Sequence, residues 1–494
     1  MKYDYDLLVI GGGSGGLSIT SAAAQMGVKV LLVDKEEFGG DCLHVGCVPS
    51  KALIRSGKIA QYFREAEHYG LKPQDPIFRW SDITTRISDI QSVIQTHDSA
   101  ERFHSMGADT VYGEAKFLDN HSVKILLNKK IVHGNRFDDL IKKENGRLEV
   151  SAKRIVIATG SSPRVIPFQG LSEVGFETNE TLFSIKDQPE SLLIVGGGVI
   201  GVEMAQAFVR LGTKVTIFLR EGVILRREDP AVYSIIQARL EKEGVNFIKH
   251  GKIKKFETLN GKKHLLYESK GTNFKIDFDA VLMATGRRPN TRLDLEKAGV
   301  VYGERGIAVN KKLQSSQKHI YAIGDVNGEM MFTHAANHEA GIVFMNAVLG
   351  VPSKVNYQSI GYAIFTNPEV ASIGINETQA KKKGLKYDLI ENPFATQDRA
   401  LTESETEGVI RILIDKKTRV LGCQIVSPRA GEMIREWQLI IAQKMKLSKV
   451  AQSTYIYPTY GEHSKWSAGK FLAPKLFNPK MKKLFRLLRG HRGR

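Results

Sequence analysis

Two cysteines five residues apart are the most reactive feature of the chain. Cys42 and Cys47 lie in the segment Gly39–Lys51, which reads GGDCLHVGCVPSK. In a continuous helix five residues rise about 7.5 Å, which is too far for the usual Cα separation of a disulfide. A bridge therefore requires a local distortion, which Gly46 permits. A strained, accessible bridge is redox-active rather than structural, and a helix N-terminus favours the attacking thiolate.

A glycine loop before the cysteines has the pattern of a nucleotide site. The apolar run Leu7–Ile10 predicts a buried strand, and Gly11, Gly13 and Gly16 follow it with GxGxxG spacing. Glycines at these positions allow a tight turn, close approach of a pyrophosphate and packing of helix on strand. Asp34 ends the next apolar run, about 20 residues on, where an acid binds ribose. The segment therefore predicts a βαβ dinucleotide-binding unit.

The same order of elements occurs a second time. Leu192–Val195 is apolar, Gly196, Gly198 and Gly201 follow, and Val215–Phe218 predicts the next strand. Two such units in one chain predict two nucleotide cofactors.

Paired strand-to-turn segments surround the second unit. One ends at Gly160 and the other at Gly286, and each runs through Ala-Thr-Gly after three apolar residues. A third segment, Ile320–Asp325, would return the chain to the first unit. We therefore expect the second unit to be inserted into the first domain.

Composition indicates a folded intracellular protein. Of 494 residues, 42% are hydrophobic and 25% charged, which is ordinary for a globular chain. No window approaches 18 uninterrupted apolar residues, so no transmembrane helix is expected. Three cysteines exclude a disulfide-stapled secreted scaffold, and we expect a reducing cytoplasm. We expect Cys423, on a predicted strand, to serve packing.

Together these motifs resemble the flavin-dependent pyridine nucleotide–disulfide oxidoreductases of the two-cysteine type. The resemblance covers roughly residues 4–470, and it is greatest to mercuric reductase-like and dihydrolipoamide dehydrogenase-like members. It implies that the first unit binds FAD, with Asp325 at the ribitol, and that the second unit binds a nicotinamide nucleotide. By the same resemblance Cys47 faces the flavin and Cys42 attacks the substrate.

The resemblance also implies an ion pair and a domain arrangement. Lys51 and Glu203 match the pair that lies beside the isoalloxazine and the nicotinamide. The predicted fold is α/β, with two Rossmann-like domains and a C-terminal α+β dimerisation domain that implies a homodimer. The predicted boundaries are 1–157 with 285–355 for the FAD domain, 158–284 for the NAD(P)H domain, 356–470 for the dimerisation domain and 471–494 for a basic tail.

The nucleotide preference is predicted from the end of the second unit's second strand. An NAD enzyme usually has an acid there, whereas this strand ends Phe218-Leu219-Arg220 and Arg226 follows. Two guanidinium groups suit a 2′-phosphate better than a hydroxyl, so we expect NADPH. Solvated arginines on a basic protein, with NADH as donor, are the alternative.

The C-terminal region departs from the family's disulfide-handling members. Tyr457 stands where they carry a histidine, which acts with a glutamate matched by Glu462 as acid and base in the partner's site. A tyrosine with a pKa near 10 is a poor proton shuttle at pH 7. We expect His463, which is nearby but not at the matching position, to lie on a helix surface.

The residues therefore leave two interpretations of function. The first is an NADPH- and FAD-dependent enzyme that reduces a disulfide or a thiol-bound metal through Cys42 and Cys47. The second is a flavoprotein redox sensor recruited to membranes, which the tyrosine in place of histidine motivates. The cysteine motif and the two glycine loops favour the enzyme.

The tail has the pattern of a basic amphipathic helix. Residues 471–494 hold eight Lys or Arg and no acid within a net charge of +18. Pro479 can begin a helix and Gly490 can end it. Between them an apolar stripe is surrounded by basic residues, which predicts weak contact with the inner face of an anionic membrane through residues 480–489. Packing of the stripe on the protein body is the alternative, and no nucleic-acid motif accompanies the charge.

Overall fold

Residues 3–128 and 146–490 are described by the computed structural model, and the chain divides into two units. The first unit comprises residues 1–57, 77–222 and 246–356, and the second comprises residues 58–76, 223–245 and 357–494.

The strands are β1 (Tyr5–Ile10), β2 (Val30–Asp34), β3 (Asp109–Phe117), β4 (Ser122–Leu127), β5 (Arg147–Ile157), β6 (Ser161–Pro163), β7 (Ser191–Val195), β8 (Lys214–Leu219), β9 (Asn246–Lys249), β10 (Lys252–Leu259), β11 (Lys262–Ser269), β12 (Thr272–Phe278), β13 (Ala280–Met283), β14 (Arg287–Pro289), β15 (Tyr302–Gly303), β16 (Gly306–Ile307), β17 (Ile320–Ala322), β18 (Tyr362–Ile364), β19 (Glu369–Gly374), β20 (Asp388–Pro393), β21 (Val409–Ile414) and β22 (Val420–Ser427). The α-helices are α1 (Ser14–Gln25), α2 (Gly40–His44), α3 (Cys47–Arg64), α4 (Trp80–Gln95), α5 (Ala100–Ser105), α6 (Leu171–Val174), α7 (Val199–Arg210), α8 (Pro230–Lys242), α9 (Thr333–Val343), α10 (Glu377–Lys382), α11 (Asp398–Thr402), α12 (Ala430–Ala442), α13 (Leu447–Gln452), α14 (Glu462–Leu476) and α15 (Pro479–Gly490).

The first sheet is built from the apolar runs around the first glycine loop. Strand β1 pairs in parallel with β2 on one side and β5 on the other, and β17 continues the sheet beyond β5. Strand β3 pairs in parallel with β2 and in antiparallel with β4, which returns to β5. Strands β1, β2 and β17 are buried along most of their length because both faces of this part of the sheet are covered, as in parallel sheets generally.

The second sheet repeats this construction around the second glycine loop. Its four parallel strands lie in the order β13, β7, β8, β9, and the three antiparallel strands β10 to β12 form a separate sheet. In each parallel sheet the glycine loop follows the first strand of the motif, at the carboxyl end where such sheets bind ligands.

The second unit contains one antiparallel sheet. Its five strands lie in the order β18, β19, β22, β21, β20, and helix α12 contributes the fully buried Trp437 to the core. Cys423 is buried in that core, and burial raises the pKa of its thiol, as suits a packing residue. The predicted α/β class, with two nucleotide-type sheets and a C-terminal α+β region, is confirmed.

Helix α15 matches the predicted tail helix from Pro479 to Gly490. The apolar stripe, namely Met481, Leu484, Phe485 and Leu488, is 40 to 63% exposed within this chain. Residues 491–494 of the predicted tail lie outside the described residues. Among the helices that the structure describes, none combines the length and apolar character needed to cross a bilayer.

Candidate active site

The two glycine loops have the same local geometry. A methyl group on Gly11 would lie 2.3 Å from the carbonyl oxygen of Ala158, and one on Gly196 would lie 2.3 Å from that of Ala284. The backbone at both glycines has a positive φ, +111° and +125°. Each loop therefore turns tightly against the end of a neighbouring parallel strand, which only glycine allows.

The other two glycines of each loop have different roles. Side chains at Gly16 or Gly201 would overlap the carbonyl oxygen of Gly11 or Gly196, so these glycines let the helix approach the loop. At Gly198 a side chain would meet nothing within 4 Å, and at Gly13 only one atom at 3.9 Å. These second glycines therefore face open space, where a pyrophosphate can approach the backbone.

Helices α1 and α7 begin at these loops with their amide ends directed toward that space. Within the described residues no side chain caps either helix, since Gly13 and Gly198 occupy the N-cap positions. Uncapped amides and the helix dipole together favour a bound phosphate. Both cradles therefore fit a dinucleotide.

The predicted ribose and ribitol acids lie at the first sheet. The Asp34 carboxylate accepts hydrogen bonds from the amides of Gly12 and Glu36, and burial raises its pKa. Asp325 accepts from the Ser161 hydroxyl at 2.6 Å, and burial raises the pKa of Asp325 also.

A buried glutamate holds the turn that carries Asp325. Glu339 on α9 is fully buried and accepts from the amide of Gly324 at 2.7 Å and from the side-chain amide of Asn327 at 2.9 Å. The other two predicted glycines, Gly160 and Gly286, have positive φ values of +66° and +111°, and a side chain at either would meet nothing within 4 Å.

The cysteines lie on either side of a break between two helices. Cys42 belongs to α2, Cys47 is the first residue of α3, and Val45 and Gly46 separate the helices. A side chain on Gly46 would lie 2.7 Å from the carbonyl oxygen of Asp41, so close packing of the turn requires glycine there. The sequence predicted this distortion, and all three cysteines are free thiols in the structure.

The two thiols differ sharply in acidity. A hydrogen bond from Cys42 lowers the pKa of Cys47 to about 6, helped by Thr333 and by the nearby Lys51 ammonium. The Thr333 hydroxyl lies 3.3 Å from Cys47 Sγ. Donation to Cys47 and burial raise the pKa of Cys42. At neutral pH Cys47 is therefore the thiolate, and Cys42 keeps its proton.

Lys51 joins the cysteines to the second glycine loop. Cys47 and Lys51 are four residues apart on α3, which places them on one face of the helix. Lys51 Nζ lies 2.8 Å from the carboxylate of Glu203, a buried residue of α7. Since α7 begins directly after Gly198, the structure brings together the cysteine pair, the lysine and the second nucleotide cradle.

The arginines predicted to select the nucleotide are both exposed. Arg220 directly follows β8 and pairs with Glu221 at 2.9 Å. Arg226 lies in the second unit, in the loop before α8. The sequence prediction did not consider Glu221, which lies two residues past the end of the strand.

Tyr457 and Glu462 belong to the second unit. Tyr457 is exposed, and a hydrogen bond to Asp398 raises its pKa, so the phenol stays protonated at neutral pH. Glu462 is the first residue of α14, and one of its carboxylate oxygens is buried without a partner among the described residues. The prediction that His463 lies on a helix surface is wrong. Its side chain is buried, and the centroid of its ring lies 4.2 Å from that of the Phe394 ring.

Thr333 and Arg287 belong to the site and were missed by sequence reasoning. Thr333 is 286 positions from Cys47 and carries no motif of its own. Arg287 directly follows the predicted Gly286, and its guanidinium bonds Asp41, beside Cys42, and Ser161, beside Asp325. For Arg287, the one available signal in the sequence was its position directly after Gly286.

Comparison with known proteins agrees with this geometry. The family model described as pyridine nucleotide-disulphide oxidoreductase matches residues 5–340, and the model of that family's dimerisation domain matches residues 360–468. The resemblance drawn from the cysteine motif and the glycine loops is thereby confirmed.

Named relatives cover nearly the whole chain. The mercuric reductase of Lysinibacillus sphaericus is 32% identical over 95% of this chain and 83% of its own length. The dihydrolipoyl dehydrogenase of Geobacillus stearothermophilus is 34% identical over 92% of this chain and 94% of its own. The Cu(II) complex of the HOCl-induced flavoprotein disulfide reductase RclA from Escherichia coli is a similar solved structure, with a TM-score of 0.81 at 26% identity, covering 95% of this chain and 100% of that one.

The acidity of Cys47 can be measured directly. In the reduced protein we expect the rate of Cys47 alkylation by iodoacetamide to rise with a midpoint near pH 6, because the reactive thiolate exists above its pKa. Thr333→Val should move that midpoint upward, since it removes a hydrogen bond to the thiolate. Peptide mass spectrometry distinguishes the cysteines, and Cys423→Ala should leave the midpoint unchanged. A wild-type midpoint near the ordinary value of 9 would contradict the assignment.

Proposed function

The chain belongs to the pyridine nucleotide-disulphide oxidoreductase family, and from this membership we propose that it reduces a disulfide or a thiol-bound soft metal ion through Cys42 and Cys47. Enzymes of this family are FAD-dependent and take their electrons from NAD(P)H. The observation that carries the proposal is the placement of Cys42 and Cys47 on either side of one tight turn, beside Lys51 and the helix of the second glycine loop. Bound FAD would pass an electron pair from the nicotinamide to the cysteine disulfide.

The cofactors are assigned to the two cradles in chain order. In our proposal residues 1–157 with 285–355 hold FAD, with Asp34 at the ribose and Asp325 at the ribitol, and residues 158–284 hold the nicotinamide nucleotide. The matching open glycines of the two loops support one dinucleotide in each cradle, and the acids beside the first loop support FAD there. Lys51, held by Glu203, would place a positive charge beside the reacting rings.

Each sulfur has a distinct task. Arrival of the electron pair breaks the Cys42–Cys47 bond, after which Cys47 remains a thiolate and Cys42 takes up one proton. Cys42 then attacks one sulfur of the substrate and gives its proton to the other sulfur, which departs as a thiol; with a metal ion, Cys42 releases the proton to water and coordinates the ion. Cys47 attacks the sulfur of Cys42 to release the reduced product and restores the disulfide. NADPH and one proton thus reduce one disulfide to two thiols.

The proposal also covers the dimerisation domain and the location of the protein. We assign residues 356–470 to a homodimer in which Tyr457 and Glu462 reach the partner's substrate. A tyrosine that donates to Asp398 cannot accept a proton at neutral pH, so it supports binding of a thiol or metal more than acid–base exchange. The location we propose is cytoplasmic.

For the tail we propose a weak contact with anionic membrane surfaces through residues 480–489. The exposed apolar stripe of α15 and its five basic neighbours support this assignment. The apolar side chains can enter the headgroup boundary while each basic residue adds about 1 kcal/mol of attraction.

Removal of the attacking sulfur should separate the two halves of the reaction. Cys42→Ser should still allow NADPH to reduce the flavin, while substrate turnover falls by at least about 10³-fold, as for loss of a covalent nucleophile. Stopped-flow flavin absorbance and a steady-state screen with lipoamide, glutathione disulfide, Hg²⁺ and quinones measure the two steps. Cys423→Ala serves as the control. Turnover retained in Cys42→Ser would refute the proposed relay.

Nucleotide preference is tested at Arg220 and its neighbour. Arg220→Ala should raise the KM for NADPH about tenfold and leave that for NADH unchanged, the scale of one charge-assisted hydrogen bond. Glu221→Gln frees the guanidinium and should lower the KM for NADPH. A wild-type enzyme that prefers NADH would contradict the NADPH assignment.

Membrane contact is tested by co-sedimentation at about 0.1 M salt, where surface charges still interact over about 10 Å. The full chain should sediment with phosphatidylcholine vesicles that contain phosphatidylglycerol, and less so with pure phosphatidylcholine. A chain ending at Pro479 and the double variant Phe485→Ser, Leu488→Ser should both lose this binding. Equal sedimentation of the full and shortened chains would rule out the contact.

A further inference from the structure

The carbonyl groups between the two cysteines are bound by side chains from distant segments. Helix α2 ends at His44, so the carbonyls of its last residues have no partner within the helix. Gln91 Nε2 donates to the carbonyl oxygens of Leu43, at 2.8 Å, and His44, at 2.7 Å. Asn179 Nδ2 donates to the next carbonyl oxygen, that of Val45, at 3.2 Å.

A second set of contacts fixes Asn179 itself. Asn179 is buried, and its side-chain oxygen accepts from Arg287 at 3.1 Å. The same guanidinium bonds the carboxylate of Asp41, the residue before Cys42. Three consecutive carbonyls and the residue before the first cysteine are therefore all held from outside the turn.

We propose that Gln91 and Asn179, the carbonyl-binding pair, are positioning residues that set the redox equilibrium of Cys42 and Cys47. The inference rests on the proposed function of the cysteines. Both residues form their hydrogen bonds in the turn with backbone carbonyls, so each acts through the backbone of the turn.

The physical argument concerns what happens when the disulfide opens. Two thiols on a loose turn separate, whereas a turn held at three successive carbonyls keeps them at a high effective concentration. A high effective concentration favours the disulfide and makes the dithiol a stronger reductant. It also maintains the hydrogen bond from Cys42 that most lowers the pKa of Cys47.

Helix α4 supplies a matched control. Gln95 lies one turn after Gln91 and also donates through Nε2 to a backbone carbonyl, that of Phe38, at 3.1 Å. Phe38 lies outside the cysteine turn, so Gln95→Met removes the same kind of bond from the same helix without freeing a carbonyl between the cysteines.

The test compares Gln91→Met with Gln95→Met in the FAD-loaded protein. Equilibration in glutathione redox buffers, followed by alkylation and mass spectrometry, gives the dithiol–disulfide equilibrium. We expect Gln91→Met to shift that equilibrium about tenfold toward the dithiol, about 30 mV for two electrons. The alkylation midpoint of Cys47 should rise in the same variant. Gln95→Met should change neither quantity.

Asn179→Ala provides a second test of the inference, and it replaces Gln91→Met if that variant does not fold. It should shift both quantities in the same direction. An equilibrium unchanged in Gln91→Met and Asn179→Ala, or shifted equally in Gln95→Met, would overturn the inference. Neither readout uses turnover, so a failure here is distinct from turnover in Cys42→Ser, which would refute the relay.

Discussion

The hydrogen bond from the Cys42 thiol to the Cys47 thiolate is the interaction on which the rest of the site depends. It exists because α2 ends and α3 begins within three residues, so the two sulfurs face each other across a turn. The same break places Cys47 at the N-terminus of an 18-residue helix, where the helix dipole also favours the thiolate. It further sets Lys51 one helical turn from that thiolate.

The two glycine loops show how one physical solution serves two ligands. In both loops the first glycine packs on a neighbouring strand end, the third packs under the helix, and the second faces open space. What differs is the surrounding chemistry, since the first loop is accompanied by the partly buried acids Asp34 and Asp325 and the second by the exposed Arg220. Placement of Glu203 on the helix of the second loop and Lys51 on the helix of the cysteines joins the two cradles through one ion pair.

Much of this arrangement was predictable because it is local in sequence. The strand–glycine–helix order and the five-residue cysteine spacing each lie within one short segment, so their chemistry can be inferred without tertiary structure. Thr333, Gln91 and Asn179 could not be found this way, because each acts on the cysteine turn from a segment distant in sequence. His463 was misplaced for a similar reason, since its burial depends on the ring of Phe394, which is also distant in the chain.

The pKa values of the two cysteines determine where the proton resides in the proposed relay. At neutral pH the reduced pair holds one proton, on Cys42, while Cys47 is ionised. Attack by Cys42 requires that this proton move, and because Cys47 must be a thiolate when it attacks in turn, the proton ends on the departing sulfur of the substrate. Tyr457 cannot take it, because the phenol is protonated and donates to Asp398. A histidine could store the proton outside the cysteine pair, whereas in the proposed relay the proton stays on Cys42 until the substrate sulfur departs, so the geometry of the turn governs proton transfer as well as electron transfer.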